Sequence, residues 1–176
     1  VTALFGPGDD ARRTFISAWL ADANARAMPT PVSGTPTVPL KAALVARLRK
    51  NTPVLHYLPE AFALLAAPST TLAGRTIPSL PLLDPRPGVA HAWAVADRAV
   101  GPIPDGDAWY ARRIAAAGAY AAAELHQLSS PGTAEALLTR LLDAADTAAA
   151  VPANMGQFGE YFVRSWRGIF RSVGIF

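Results

Sequence analysis

Apolar positions recur at intervals of three and four residues through most of the chain, the spacing of one face of an α-helix. In the first segment Phe15, Ile16, Trp19, Leu20 and Ala23 form such a stripe. It predicts a helix opening at Asp9 or Asp10 and reaching about Arg26. A second helix is expected over 39–50, because Pro39 suits a first turn. Pro53 and Pro59 cut the next stretch into short pieces at 54–58 and 60–67. Helix resumes over 89–100, from 105–107 to about 128, over 133–150, and over 153–173. The Pro-, Thr-, Ser- and Gly-rich tract at 29–39 reads as a linker, and 68–88 as irregular with at most a helical turn near 80–83. Breaks are expected at Gly101-Pro102-Ile103-Pro104 and at Ser129-Ser130-Pro131-Gly132. No segment alternates with period two over the length of a strand, so the predicted fold is all-α, without fixed-period repeats.

Two helices carry more than a core stripe. On the helix that reaches about 128, Ile114, Gly118, Ala121, Leu125 and Leu128 form a seam whose middle is small. Such a seam either lets a neighbouring helix approach closely or leaves an apolar cavity for a ligand. The same helix opens with Trp109-Tyr110-Ala111-Arg112-Arg113. Aromatics beside paired Arg suit a partner anchor or a phosphate contact; alternatively Trp109 packs inward and both Arg pair with Asp105 and Asp107. On the last helix Met155, Phe158, Phe162, Trp166, Ile169 and Val173 fall within about 80° of one another at 100° per residue. Phe170 widens that face, and Glu160, Arg164, Arg167 and Arg171 lie opposite. An aromatic face backed by Arg fits a helix lying in a membrane interface, with the three Arg toward anionic headgroups. It also fits a terminal helix docked on its own core or in a neighbour's groove.

Composition narrows the classes. The chain has 176 residues, one ordinary domain's worth, with 51% hydrophobic and 16% charged. Intrinsic disorder is therefore excluded. The absence of Cys excludes a disulfide scaffold, a zinc ribbon and a thiol nucleophile. A net charge of +3 is too small for a dedicated nucleic-acid binder. The longest apolar run, 114–123, ends at Glu124 and is well short of the roughly 18 residues a spanning helix needs. The chain opens on Val1 without Met or a targeting presequence, which reads as a trimmed product. His56, His91 and His126 pair with no carboxylate at a recognised ligand spacing, and read as structural or solvent-facing. With no Gly-rich phosphate loop and no nucleophile elbow, an enzyme is disfavoured, and neither metal nor cofactor is expected. Gly6-Pro7-Gly8 before a helix reads as a turn rather than an anion cradle.

The segment Asp107-Ala108-Trp109-Tyr110-Ala111-Arg112-Arg113, with Ala123-Glu124-Leu125 and Ser129-Ser130-Pro131 downstream, resembles the Coq-nine family. These are lipid-binding accessory proteins of ubiquinone (coenzyme Q) biosynthesis. Arg47-Leu48, Pro53, Leu58-Pro59-Glu60-Ala61 and Ala67-Pro68 are similar to that family in the same order. Leu4-Phe5-Gly6-Pro7-Gly8-Asp9 is similar to the stretch that follows a TetR-type helix-turn-helix. The resemblance covers about residues 2–150. Two departures limit it: the amino-terminal helix-turn-helix is mostly absent, and 73–88 is longer and more Pro-rich than the family's usual connection.

The resemblance implies a TetR-like, all-helical lipid-binding domain at 1–152, followed by a membrane-associating amphipathic helix at 153–176. Its cavity would be lined by Phe62, Leu65, Trp93, Ile114, Ala117, Gly118 and Ala121, with Arg113 nearest a lipid headgroup. Trp109, Tyr110, Arg112 and Pro68 would form the patch facing a di-iron demethoxyubiquinone hydroxylase (Coq-seven). The expected protein is a non-catalytic homodimer, peripheral on the matrix side of the mitochondrial inner membrane, that presents isoprenoid quinone intermediates to that hydroxylase. It would bind no nucleic acid. The alternative is the ligand-binding domain of a TetR-type transcriptional regulator.

Overall fold

The order of elements follows the breaks in the hydrophobic pattern. A computed structural model describes residues 8–29, 38–67, 71–72, 75–76, 84–101 and 107–149. Among them six α-helices account for most of the described residues, and the fold is all-α. They are α1 (Gly8–Ala27), α2 (Leu40–Arg49), α3 (Leu58–Ala66), α4 (Arg86–Val100), α5 (Asp107–Ser129) and α6 (Ala134–Ala149). Short 3-10 turns at Thr52–Tyr57 and Pro131–Thr133 lead into α3 and α6. A two-residue antiparallel ladder, β1 (Thr71–Leu72) with β2 (Arg75–Thr76), pairs Thr71 with Thr76 and Leu72 with Arg75. The expected turn near 80–83 and the helix over 153–173 lie outside the described residues, as does most of the 29–39 linker.

Local chemistry accounts for the ends. Asp9 and Asp10 in the first turn of α1 and Arg26 in its last complement the helix dipole. Ala67 precedes Pro68, whose ring disfavours the helical region, and Ala67 turns extended at ψ 130 where α3 stops. Helix α4 starts at Arg86 rather than 89, because Pro87 falls in its first turn, where a missing N–H costs nothing. Asp84 accepts from the Arg86 backbone N–H at 3.0 Å and secures that start. Gly101 ends α4 at φ 68, a conformation that side chains disfavour.

Helix α5 runs through the middle of the domain, against α4, α6 and α2. Its buried face carries Ala116, Ala119, Tyr120 and Ala123, which meet Leu44 and Leu48 of α2, Val95 and Ala96 of α4, and Ala134, Leu138 and Leu142 of α6. Two ion pairs set α2 antiparallel to α6: Arg49 with Glu135 through two 2.7 Å bonds, and Lys41 with Asp143 at 2.6 Å. At the centre of the small seam Gly118 and Ala121 are buried, while Leu125 and Leu128 are half-buried and Ile114 is exposed. No described helix is long and apolar enough to cross a membrane.

Candidate functional site

The sequence singled out the opening turns of α5, and the structure gives the two neighbouring arginines there opposite fates. Arg112 is exposed, as is Tyr110. Arg113 is buried: its Nε donates to Asp97 Oδ1 at 2.7 Å and its Nη2 to the Gly101 carbonyl at 2.9 Å. The half-buried Trp109 ring lies 3.8 Å from its guanidinium carbon. Trp93, placed by resemblance in a lipid cavity, is half-buried with its ring 6.3 Å from that of Trp109. The Arg113 cation thus closes the α4–α5 corner, with Asp97 as its carboxylate partner among the described residues. Nη1 of Arg113 is buried without a hydrogen-bond partner among the described residues. Trp109→Ala should uncover this ion pair and lower stability by about 2 kcal/mol, read as a fall in melting temperature.

An apolar groove lies elsewhere, between α1 and α3. It encloses about 430 Å³ and is lined by Ala11, Arg12, Phe15 and Ile16 from α1 and by Tyr57, Glu60, Ala61 and Leu64 from the facing strip. The spacing 57, 61, 64 is one face of a helical turn, which is why these residues share a wall. Phe62 and Leu65 are half-buried on α3 and stand outside this lining. Ala117, Gly118 and Ala121 on α5 are outside it too, so the lining expected from resemblance is not brought together at this groove. Pro68, Phe158, Phe162, Trp166, Ile169, Phe170, Arg164, Arg167 and Arg171 lie outside the described residues.

The densest constellation is one the sequence reading did not assemble. Arg47, wholly buried on α2, donates through Nε to Asn24 Oδ1 of α1 and through Nη1 to Asn51 Oδ1 at 2.7 Å. Asn51 Nδ2 donates to Glu124 Oε1 at 2.9 Å and reaches Gln127 Oε1 at 3.2 Å. Tyr120 donates its hydroxyl to Glu124 at 2.7 Å, and His91 Nε2 of α4 stands 3.2 Å from Glu124 Oε2. Gln127 closes the chain of bonds by donating to the Leu48 carbonyl at 3.2 Å. Rings of Trp19 and Tyr120 lie 5.8 and 5.9 Å from the Arg47 guanidinium carbon. One polar cluster therefore joins α1, α2, α4 and α5 inside the core.

Its electrostatics follow from that enclosure. Burial alone would push the Glu124 carboxyl up; the electrostatic attraction of His91, its hydrogen bond, the Arg47 charge and the Tyr120 bond outweigh it and hold the carboxyl at about 2. Burial first, then the Glu124 charge, raise the Tyr120 hydroxyl well above its ordinary value, so it stays a donor. His91 meets its carboxylate 33 residues away on another helix, not at a metal-ligand spacing in the sequence. His126 sits 2.8 Å from Thr133 Oγ1, and His56 stacks near Tyr57. No group of three or more metal-ligating side chains forms among the described residues. The one available signal was the spacing of Tyr120, Glu124 and Gln127, which puts three polar groups on the Ala-rich inner face of α5.

Comparison with known proteins finds no matching family model, curated protein or solved structure.

Proposed function

We propose that this chain is a helical lipid-binding protein without chemistry of its own, which takes an apolar chain into the groove between α1 and α3. The observation that carries the reading is the groove itself, whose volume of about 430 Å³ is that of a small-molecule site and whose walls are mostly apolar. Arg12 and Glu60 are its charged lining residues, positioned to meet a polar headgroup. A lipid tail gains about 0.8 kcal/mol for each CH₂ removed from water, so even a partly open groove can compete with other apolar surroundings.

The finer reading rests on the sequence resemblance to the Coq-nine family. On it, the ligand is an isoprenoid quinone intermediate and the partner is the di-iron hydroxylase. The exposed Tyr110 and Arg112, with the rim of Trp109, form the face offered to that enzyme. The arginine-backed aromatic stripe of 153–173 supports peripheral attachment to the matrix side of the mitochondrial inner membrane, with the protein as a homodimer.

The decisive experiment fills the groove. Ala61→Trp should reduce the lipid recovered in organic extracts of the purified protein at least tenfold, measured by mass spectrometry, with little change in melting temperature. Equal lipid content in both proteins, or none in either, would remove the groove as the binding site.

A further inference from the structure

The two walls of the groove are held together unequally. Helix α1 buries only Leu20, Ala23 and Asn24, all in its second half, where the Asn24 side chain is gripped by Arg47. Its first half, which supplies Ala11, Arg12, Phe15 and Ile16 to the groove, has no buried residue. A long-range polar bond spans from this half to the opposite wall: Arg13 Nη1 donates to the Ala67 carbonyl at 2.8 Å, across 54 residues of sequence.

The acceptor is well placed for a cation. Ala67 follows the last residue of α3, where carbonyl groups gather partial negative charge at a helix end. Ala67 still donates its N–H to the Ala63 carbonyl at 2.9 Å, but it turns extended before Pro68, and its own carbonyl accepts from Arg13. The bond also carries a penalty, because Arg13 Nε is buried without a hydrogen-bond partner among the described residues. A buried donor left unsatisfied offsets much of what a neighbouring hydrogen bond contributes. Opening returns Nε to water and removes that penalty, so the closed arrangement has little surplus stability at this point.

We infer that Arg13 is a positioning residue that clasps the first half of α1 to the end of α3, and that its release swings this half outward and opens the groove to a lipid chain. The lipid part of this inference rests on the function proposed above; the clasp rests on the geometry alone. Among the described residues Arg12, the adjacent cation, pairs with Asp9 on its own helix at 3.9 Å, not with α3.

Hydrogen–deuterium exchange on the full chain tests it. In Arg13→Gln, amides at 12–18 should exchange at least tenfold faster than in the wild type, with α5 amides unchanged and the Arg26→Gln control indistinguishable from wild type. Unchanged exchange at 12–18, or acceleration shared equally by α5, overturns the clasp. If Arg13→Gln does not fold, Arg13→Lys, which keeps the charge but offers a shorter reach, is judged by the same comparison. Binding of cis-parinaric acid, a fluorescent fatty acid, is followed in parallel and should associate at least threefold faster with the variant. Local acceleration with no probe bound by any variant leaves the clasp standing and removes the lipid reading. Probe binding with no local acceleration does the reverse.

Discussion

Arg47→Met should lower the free energy of unfolding by about 3–5 kcal/mol, the largest loss expected from any single substitution in this core. The side chain is wholly buried, and its truncation leaves the Asn24 and Asn51 carbonyl oxygens without the donor that each now has. It also leaves the Glu124 carboxylate in the core without the neighbouring guanidinium charge. Methionine fills much of the volume and can lie against the Trp19 and Tyr120 rings, so the cost is mostly electrostatic rather than a cavity. A double-mutant cycle separates the two contributions. If charge dominates, Arg47→Met should cost less, by 1 kcal/mol or more, when Glu124 is already Gln, because no carboxylate is then stranded. Equal costs in both backgrounds, read by urea unfolding at pH 7, would mean that the amide bonds and packing carry the whole effect.

The helices were legible because their cause is local. The stripe through Trp19, Leu20 and Ala23 and the breaks at Gly101 and Ser129-Ser130-Pro131 each lie within a few residues, and the structure follows them closely. Where α4 begins was less legible, since Pro87 reads as a breaker in the sequence and acts as a first-turn residue in the helix. The polar core was hidden for a different reason. Arg is rarely buried, so Arg47 and Arg113 read as surface groups until their partners are known. The bonds that enclose them are mostly remote: Arg47 reaches Asn24 across 23 residues, its neighbour Asn51 reaches Glu124 across 73, and Arg113 reaches Asp97 across 16. The α1–α3 groove has the same origin, because its two walls are some forty residues apart and neither is distinctive alone. By contrast, the prominent Trp109-Tyr110 pair was visible at once, yet its aromatic character did not reveal that Trp109 would be spent on covering Arg113.

Acid should unfold this protein through Glu124. Its carboxyl lies at about 2 in the folded chain against an ordinary value of 4.5. A depressed folded value means that the unfolded chain binds the proton more readily. The stabilisation is therefore fully present above about pH 4.5 and lost as the pH falls from there toward 2. The whole span amounts to about 3 kcal/mol. Two other carboxyls are also lowered, Glu135 by its hydrogen bond to Arg49 and Asp84 by its bonds to Arg86, but both salt bridges are largely solvent-exposed and contribute little. Glu124→Gln isolates the buried group, because an amide can still accept from Tyr120 and Asn51 but does not titrate. Urea unfolding of both proteins from pH 7 to pH 2.5 should show the wild type more stable at neutral pH, with the two curves converging below pH 4.5. Parallel curves across that window would show that the Glu124 carboxylate is not what the core protects. Tyr120→Phe removes one donor to the carboxylate and should move the wild-type acid limb upward in pH, which ties the transition to this hydrogen-bonded cluster rather than to the net charge of the chain.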